Sequence, residues 1–246
     1  MPFPITIDAA VSAPEQPSYY GPFKSGFALY VINVDLVLGQ LVMEKSMDDG
    51  DTWSVVDSGN GPLIFGTSGF RAVCACQSTL DDTQIYGCFI DPGFQVGVST
   101  FDAGIDTWGT PVIGDVSITG WFSACCCYRE SDNSIVLAGT NVTNVTLNGL
   151  DHTITSFITY DVTGAAWGVW TDMDYQDYVD VSGNTIWSQV PCGIVCDSDG
   201  TVHVFMQQIT RESSSTPVPS TYTADDVFTA PGDCVQIDDL SCIGGG

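Results

Sequence analysis

An all-β fold built from short, repeated antiparallel strands is the architecture this sequence predicts, and three observations predict it. Val, Ile, Thr, Phe and Tyr gather in short runs punctuated by Gly, Asp, Asn and Pro, which is how strands and tight turns are written. No long segment carries the helical apolar period of about 3.6 residues. The chain also repeats itself. Asp132-Asn133-Ser134-Ile135-Val136-Leu137 superposes on Asp199-Gly200-Thr201-Val202-His203-Val204 at an offset of 67 residues, and Asp82-Thr83-Gln84-Ile85-Tyr86-Gly87 matches the first of these at an offset of 50.

Each of these segments is a polar turn leading into a strand, as expected where two antiparallel strands meet. An apolar strand precedes each turn, over Phe70–Gln77, Phe122–Tyr128 and Val190–Cys196, and Phe27–Val34 is a fourth candidate. Residues 1–26 read as an extended N-terminal arm, rich in Pro and aromatics. Residues 27–243 read as the folded domain and 244–246 as a glycine tail.

A second landmark follows the hairpins. Ser46-Met47-Asp48-Asp49-Gly50-Asp51-Thr52-Trp53 fits S-x-D-x-G-x-T-W at every specified position. A degenerate copy, Phe101–Trp108, keeps Asp102, Gly104, Thr107 and Trp108, and a weaker one spans Tyr160–Trp167. The three tryptophans lie 55 and 59 residues apart, somewhat more than a propeller blade of about 40–50 residues. An insertion near Asn141–Thr153 accounts for part of the excess. The chemistry of the motif is local. An Asp carboxylate caps backbone N–H groups in a tight turn, Gly supplies positive φ, Thr adds a hydrogen bond, and Trp packs its ring against the sheet. Asp48 is therefore expected to bond within its own turn and Trp53 to be largely buried.

Ser46–Trp53 resembles the Asp-box of sialidases and related β-propellers. The resemblance implies radial, four-stranded antiparallel blades, about four to five of them, in a ring that is incomplete or completed by a neighbouring chain. It places the box between the third and fourth strands of a blade, in a structural role. Ile5-Thr6-Ile7 and Val235–Ile237 are β-prone terminal segments, and one or both are expected to complete a blade, since an open edge invites aggregation. Active members of the family hold the substrate carboxylate with three arginines and use a Tyr–Glu nucleophilic pair and an Asp acid. This chain has only Arg71, Arg129 and Arg211, at non-equivalent places in their repeats, and Phe70-Arg71 follows the first box and lacks the family's Ile-Pro. Glu15, Glu44, Glu130 and Glu212 are its only glutamates, none in a nucleophile motif. Arg129-Glu130 reads as a local surface pair. The resemblance is thus to non-catalytic propellers of phage structural proteins, with a sialidase-like glycoside hydrolase as the alternative.

Charge narrows the partners. Thirty acidic residues against five basic ones give a formal charge of −25. Nucleic acids and anionic membranes both demand clustered cations, so neither is an expected partner. Met1–Pro17 holds four prolines and no apolar signal core, and no apolar run is long enough to span a bilayer. The expected setting is a virion, with other structural subunits and a host-surface glycan or protein as partners. No cofactor is expected. Asp48, Asp49 and Asp51 look like the start of a calcium loop, but the turn accounts for them, and Asp197-Ser198-Asp199-Gly200 reads as a hairpin turn.

Of the ten cysteines, Cys125 falls on Cys192 and Cys76 on Cys126 when the repeats are aligned. Recurrence at equivalent strand positions points to packed thiols. Cys234 and Cys242 are the next candidates, as a disulfide, and a metal site is the weakest reading because no CxxC pair exists. No G-x-S-x-G, P-loop or H-E-x-x-H motif occurs, so no catalytic residue is assigned. For ligand binding the candidates are Trp121, Trp170 and Trp187, with Tyr175 and Tyr178 in the acidic stretch 172–180. Aromatics beside carboxylates stack on sugar rings while the carboxylates accept hydroxyl hydrogen bonds. The competing role for the tryptophans is to fill gaps between sheets.

Overall fold

The computed structural model describes residues 19–35, 39–57, 61, 72–90, 95–117, 124–147, 150–172, 186–211, 218–224 and 234–238. They form two compact units, Met1–Ser117 and Ile118–Gly246. Among the described residues the regular structure is strand, apart from the 3-10 turn Glu130–Asp132 and a 3-10 residue at Asp57.

Alternation of apolar side chains with punctuating turns folds the first unit into two antiparallel meanders. The first runs β1 (Tyr19–Ser25), β2 (Ala28–Asp35), β3 (Gln40–Ser46) and β4 (Ser54–Val55). The second runs β5 (Ala72–Gln77), β6 (Gln84–Ile90), β7 (Gln95–Asp102) and β8 (Thr107–Trp108), with β9 (Val112–Ser117) also on β7. Tyr30, Ile32 and Val34 on β2, Leu41 and Met43 on β3, Ile85 and Phe89 on β6 and Phe101 on β7 form one buried core between the two sheets. Their spacing of two puts them on one face of each strand. Gly87 lets the sheets close: a Cβ there would stand 2.6 Å from Leu41 Cδ1 and 3.5 Å from the Trp108 ring.

The second unit holds a nine-stranded sheet made of two further meanders. One is β10 (Ala124–Arg129), β11 (Ser134–Leu147) and β12 (Leu150–Asp161), with β13 (Ala166–Trp167) and β14 (Thr171–Asp172) both on β12. The other is β15 (Ile186–Cys196), β16 (Val202–Arg211), β17 (Val218–Ala224) and β18 (Cys234–Asp238). A single parallel bridge, Thr153 to Ser188, joins them. Its core gathers Cys127, Val136, Ala138, Phe157, Val202 and Val204, with Cys125, Ile194 and Cys196 packed against it.

The repeat offsets are hairpins, as the sequence predicts. β6, β11 and β16 each open just after the matched polar turn. The insertion near Asn141–Thr153 is a lengthening of the β11–β12 ladder, which pairs out to Leu147 and Leu150. The tail strand Val235–Ile237 lies in β18 and supplies the fourth strand of its meander.

Two expectations are corrected at the N-terminus. Phe27–Val34 corresponds to β2, the second strand of its meander, rather than the strand before a repeat turn. The first place is taken by β1, which lies inside the segment read as an arm. The reason is local: Gly26 adopts φ +57 and turns the chain back so that Ser25 pairs with Ala28. Pro22, which has no N–H to give, sits on this edge strand where the register shifts between Tyr20 and Phe23. Ile5–Ile7 and the glycine tail lie outside the described residues.

Candidate functional site

The motifs with the most side-chain chemistry are the turns that end the third strand of three of the meanders. In Ser46–Trp53, Ser46 Oγ accepts the N–H groups of Asp48 (3.3 Å) and Gly50 (2.9 Å) and donates to Asp48 Oδ1 (2.8 Å). Asp48 Oδ1 also accepts the Thr52 N–H (2.8 Å), and Oδ2 accepts the Thr52 hydroxyl (2.5 Å). Thr52 first, then Ser46, holds the Asp48 carboxyl down at about 2. Asp49 and Gly50 adopt φ of 56 and 94. Asp48 thus bonds within its turn as expected. Trp53 does not bury largely: it is half-buried, held by its own turn through Nε1–H to the Gly50 carbonyl (3.0 Å). It precedes β4, so no ladder carries it into the core.

The other two copies are a different turn. In both, the Asp closes the ladder and four residues cross over: Asp102 pairs with Thr107, and Asp161 with Ala166. The carboxylates cap nearby N–H groups, Asp102 that of Gly104 (2.8 Å) and Asp161 those of Thr163 (2.9 Å) and Gly164 (3.0 Å). Asp106 and Ala165 hold the same positive-φ position, at 53 and 49. Here the tryptophans stand in the ladder, opposite an aromatic. Trp108 meets Phe101 edge-on at 5.2 Å, and Trp167 meets Tyr160 at 5.0 Å. The next residue, Gly109 or Gly168, donates its N–H to Thr100 or Thr159 (2.7 and 2.8 Å). Sequence matching missed this pairing. Its signal is an aromatic seven residues before a Trp-Gly dipeptide, in Phe101–Gly109 and Tyr160–Gly168.

The second copy also locks the two sheets of the first unit together. Asp106 accepts the Tyr30 hydroxyl (2.9 Å) and the Lys45 ammonium (2.7 Å), and Lys45 Nζ stands 5.3 Å from the Tyr30 ring centre. Burial, followed by the contact with Asp106, raises the Tyr30 hydroxyl above the ordinary tyrosine range. For Lys45 burial pulls downward, but hydrogen bonds to Asp106 and Tyr30 outweigh it and the ammonium is raised. Trp108 N–H reaches Asp57 Oδ2 (3.0 Å), a further tie between the sheets.

In the second unit, Arg129 is bound to its own turn. Nε donates to Asp132 Oδ1 (2.9 Å) and Ser134 Oγ (3.2 Å), and a second guanidinium nitrogen makes a short contact with Asp132 Oδ2. Burial acts to raise Asp132, but Arg129 and Ser134 outweigh it and lower its carboxyl. The local pair is therefore Arg129–Asp132, not Arg129–Glu130, because the 3-10 turn brings residue 132 back beneath the strand end. The turn beyond β15 is organised alike. Asp197 accepts N–H groups from Asp199 (3.2 Å) and Thr201 (2.9 Å) and meets His203 Nε2 at 3.0 Å. Asp199, then His203, holds its carboxyl at about 2.

The aromatic set is not assembled among the described residues. Trp170 is half-buried just before β14, and Trp187 pairs with Thr210 on β15. Trp121, Tyr175 and Tyr178 lie outside the described residues, as does Arg71, while Arg211 ends β16 opposite Ile186. No group of three or more His, Cys, Asp or Glu side chains converges as metal ligands among the described residues.

The thiols divide. Cys74, Cys76, Cys88 and Cys127 are buried, but Cys125 and Cys126, expected to be buried, are half-buried, as is Cys196. Cys125 and Cys126 lie on β10, the first strand of its meander, as the buried Cys74 and Cys76 do on β5, so strand position alone does not enclose a thiol. The side chains of Cys192 and Cys234, and all of Cys242, lie outside the described residues.

No family model matches the sequence, and no curated protein matches it. Solved structures do. A polysaccharide lyase, a PL25 ulvan lyase, is similar with TM-score 0.55 and 13% identity, covering 87% of this chain and 55% of that one. The Penicillium chrysogenum α-L-arabinanase, complexed with arabinobiose, is similar with TM-score 0.50 and 11% identity, covering 81% of this chain and 59% of that one. The NanB sialidase of Streptococcus pneumoniae gives TM-score 0.48 and 13% identity over 75% of this chain and 26% of that one. The chain spans little more than half the length of the lyase and the arabinanase. At such identities the likeness is one of fold, and with the four antiparallel meanders it gives the fold: an all-β chain of the β-propeller type.

Proposed function

We propose that this chain is a carbohydrate-directed β-propeller that holds its ligand rather than cleaving it. Of the structures that share its fold, one is a polysaccharide lyase and one an arabinanase seen with arabinobiose, which supports glycan as the ligand class. The observation that carries binding over sialidase chemistry is Arg129. A sialic-acid carboxylate needs a converging clamp of arginines, and the chain has three. Arg129 commits Nε and one terminal nitrogen of its guanidinium to Asp132 and Ser134, within its own hairpin. Two arginines remain, against a net charge of −25 that opposes an anionic sugar. A neutral glycan fits this field better, with Trp121, Trp170, Trp187, Tyr175 and Tyr178 as the stacking candidates.

The setting we propose is a virion surface, where the Asp-box pattern without a catalytic set resembles phage structural propellers. No helix among the described residues is long and apolar enough to cross a membrane. A second reading, a glycoside hydrolase or lyase of another specificity, is favoured by the activities of the similar lyase and arabinanase. One panel separates them. The purified chain is assayed for release of reducing ends from arabinan and other neutral polysaccharides, for products of ulvan, and for turnover of a fluorogenic sialoside, alongside retention on the immobilised glycans. The expected result is retention on a neutral glycan without product, weakened by Trp170→Ala. Product from any of them defeats the binding-only reading, and turnover of the sialoside lost in Arg129→Lys defeats the argument from Arg129. Immunogold labelling of native particles tests the setting.

A further inference from the structure

Four turns stand at one end of the two sheets of the first unit, and the tip of each carries a large exposed apolar side chain. Phe27 lies on the β1–β2 turn, Met47 on the β3–β4 turn, Leu80 on the β5–β6 turn and Ile105 on the β7–β8 turn. They are 91%, 66%, 58% and 70% exposed. Single exposed apolar residues are ordinary, but one at the tip of each of four turns that are tied together is not. The turn types do not require them. At the repeat offsets Leu80 corresponds to Glu130 and Asp197, and Ile105 corresponds to Gly164, all in turns of like construction in the second unit.

The four turns are fastened to one another. Lys24 O accepts from Gln77 Nε2 (2.7 Å), and Gly26 N–H reaches Asp82 Oδ2 (3.2 Å), which ties the β1–β2 turn to the β5–β6 turn. Ala103 N–H donates to the Thr83 carbonyl (2.8 Å), which ties that turn to the β7–β8 turn. Asp106 holds Lys45 (2.7 Å), next to Ser46 where the β3–β4 turn begins. A surface fixed in this way loses little conformational freedom on binding.

We propose that this rim is a protein-docking surface for a partner that presents apolar side chains flanked by lysine or arginine. With the bordering strand residues Lys24, Lys45 and Asp102, the four turns carry seven aspartates against two lysines, one of which is already paired with Asp106. A rim of apolar tips among carboxylates disfavours nucleic acid and repels a second copy of a chain with charge −25. It complements a basic, apolar surface. The surface is independent of the glycan reading, since the four turns contain none of the aromatic candidates.

The test uses the full chain and a fluorescent amphipathic Leu/Lys peptide, read by anisotropy, with a Ser/Lys peptide of equal charge and a Leu/Glu peptide as controls. The variant is Phe27→Ser, Met47→Ser, Leu80→Ser and Ile105→Ser together, which leaves net charge unchanged. The wild type is expected to bind the Leu/Lys peptide at least about ten-fold tighter than either control, and the variant at least about ten-fold weaker than wild type. Circular dichroism and Tm confirm the variant's fold, and Phe27→Ser and Ile105→Ser singly serve where the combination does not fold. Equal binding by wild type and variant, or by the Leu/Lys and Ser/Lys peptides, overturns the proposal. So does a wild-type dimer in sedimentation velocity that the variant lacks, because the occupant is then a second copy.

Discussion

Replacing Gly97 with alanine should destabilise the first unit, although alanine is ordinarily the better strand residue. Gly97 lies directly opposite Phe89 in the β6–β7 ladder, and the Phe89 ring covers it. A Cβ at Gly97 would stand 2.2 and 2.3 Å from the ring atoms Cε2 and Cζ, and 2.9 Å from Ile113 Cδ1. Ordinary contact begins at 3.4 Å, so the ring must withdraw by about 1.2 Å. Phe89 is 1% exposed and packed in the inter-sheet core, so it has nowhere to go. Overpacking of this kind costs about 1–3 kcal/mol, against a gain of about 0.4–1 kcal/mol from restricting the unfolded chain. The expected net loss is about 1–2 kcal/mol. For a chain of this size that lowers Tm by about 2–8 °C. Urea denaturation followed by tryptophan fluorescence gives the free energy. Phe89→Leu supplies the cycle: combined with Gly97→Ala it should cost less than the two single changes summed, because the methyl occupies space the ring has left. A Gly97→Ala variant as stable as wild type, or additive costs in the cycle, would refute the account of Phe89 over Gly97.

Three further outcomes are expected. Trp108→Ala should cost about 2–4 kcal/mol and Trp53→Ala about 1–2 kcal/mol, since Trp108 packs on Phe101 in the core and Trp53 only on its own turn; denaturant midpoints that reverse this order would show the turn assignments to be wrong. Asp48 is held at about 2, below its unfolded value, so its contribution is present above pH about 4 and is lost as pH falls towards 2. The Tm gap between wild type and Asp48→Asn should therefore narrow across that window, while a gap that stays constant rules out the linkage; the paired comparison removes the general relief of charge repulsion on acidification. Asp106→Ala removes the partner of Lys45 and leaves the Tyr30 hydroxyl only the Ala103 carbonyl (3.1 Å), and should cost about 1–2 kcal/mol, the Lys45–Asp106 pair being only partly screened at 20% and 33% exposure; a loss that vanishes entirely in high salt would mean that the Tyr30–Asp106 hydrogen bond contributes nothing.

Much of the fold was legible in the sequence because hairpins leave a local record. A polar turn followed by an alternating strand is specified by residues adjacent in the chain, so Asp82, Asp132 and Asp199 were enough to align β6, β11 and β16. β1 was hidden because Tyr19–Ser25 contains Gly21 and Pro22, which read as arm, and it becomes a strand only by pairing with β2. Burial of individual thiols was also hidden: Cys76 and Cys126 match in the repeats and both lie on the first strand of a meander, yet Cys76 is buried and Cys126 half-buried. The ligand site was least legible. Stacking aromatics and core aromatics have the same composition, and only their convergence in space distinguishes them.

The three tryptophan turns show how a single residue of spacing decides a structural role. Asp48 lies five residues before its Trp, whereas Asp102 and Asp161 lie six before theirs. With six, the Asp can end one strand and the Trp can sit in the return strand, one pair further along the ladder; Phe101 and Tyr160, one residue before each Asp, then face the tryptophans. Side chains alternate faces along a strand, so this register fixes which side of the sheet the ring lies on. With five, the count cannot close in the same way. The chain instead spends Ser46, Asp48 and Thr52 on satisfying a wider loop from within, and Trp53 stays outside the ladder as a prop for its own turn. The first turn is therefore self-contained, and its tip residue, Met47, is available for display. The second is fastened into its neighbours by Tyr30, Lys45 and Asp57 and holds Ile105 in a fixed place. A one-residue deletion between Asp102 and Trp108 should thus do more than shorten a loop: it should withdraw Trp108 from Phe101 and release the contact between the two sheets.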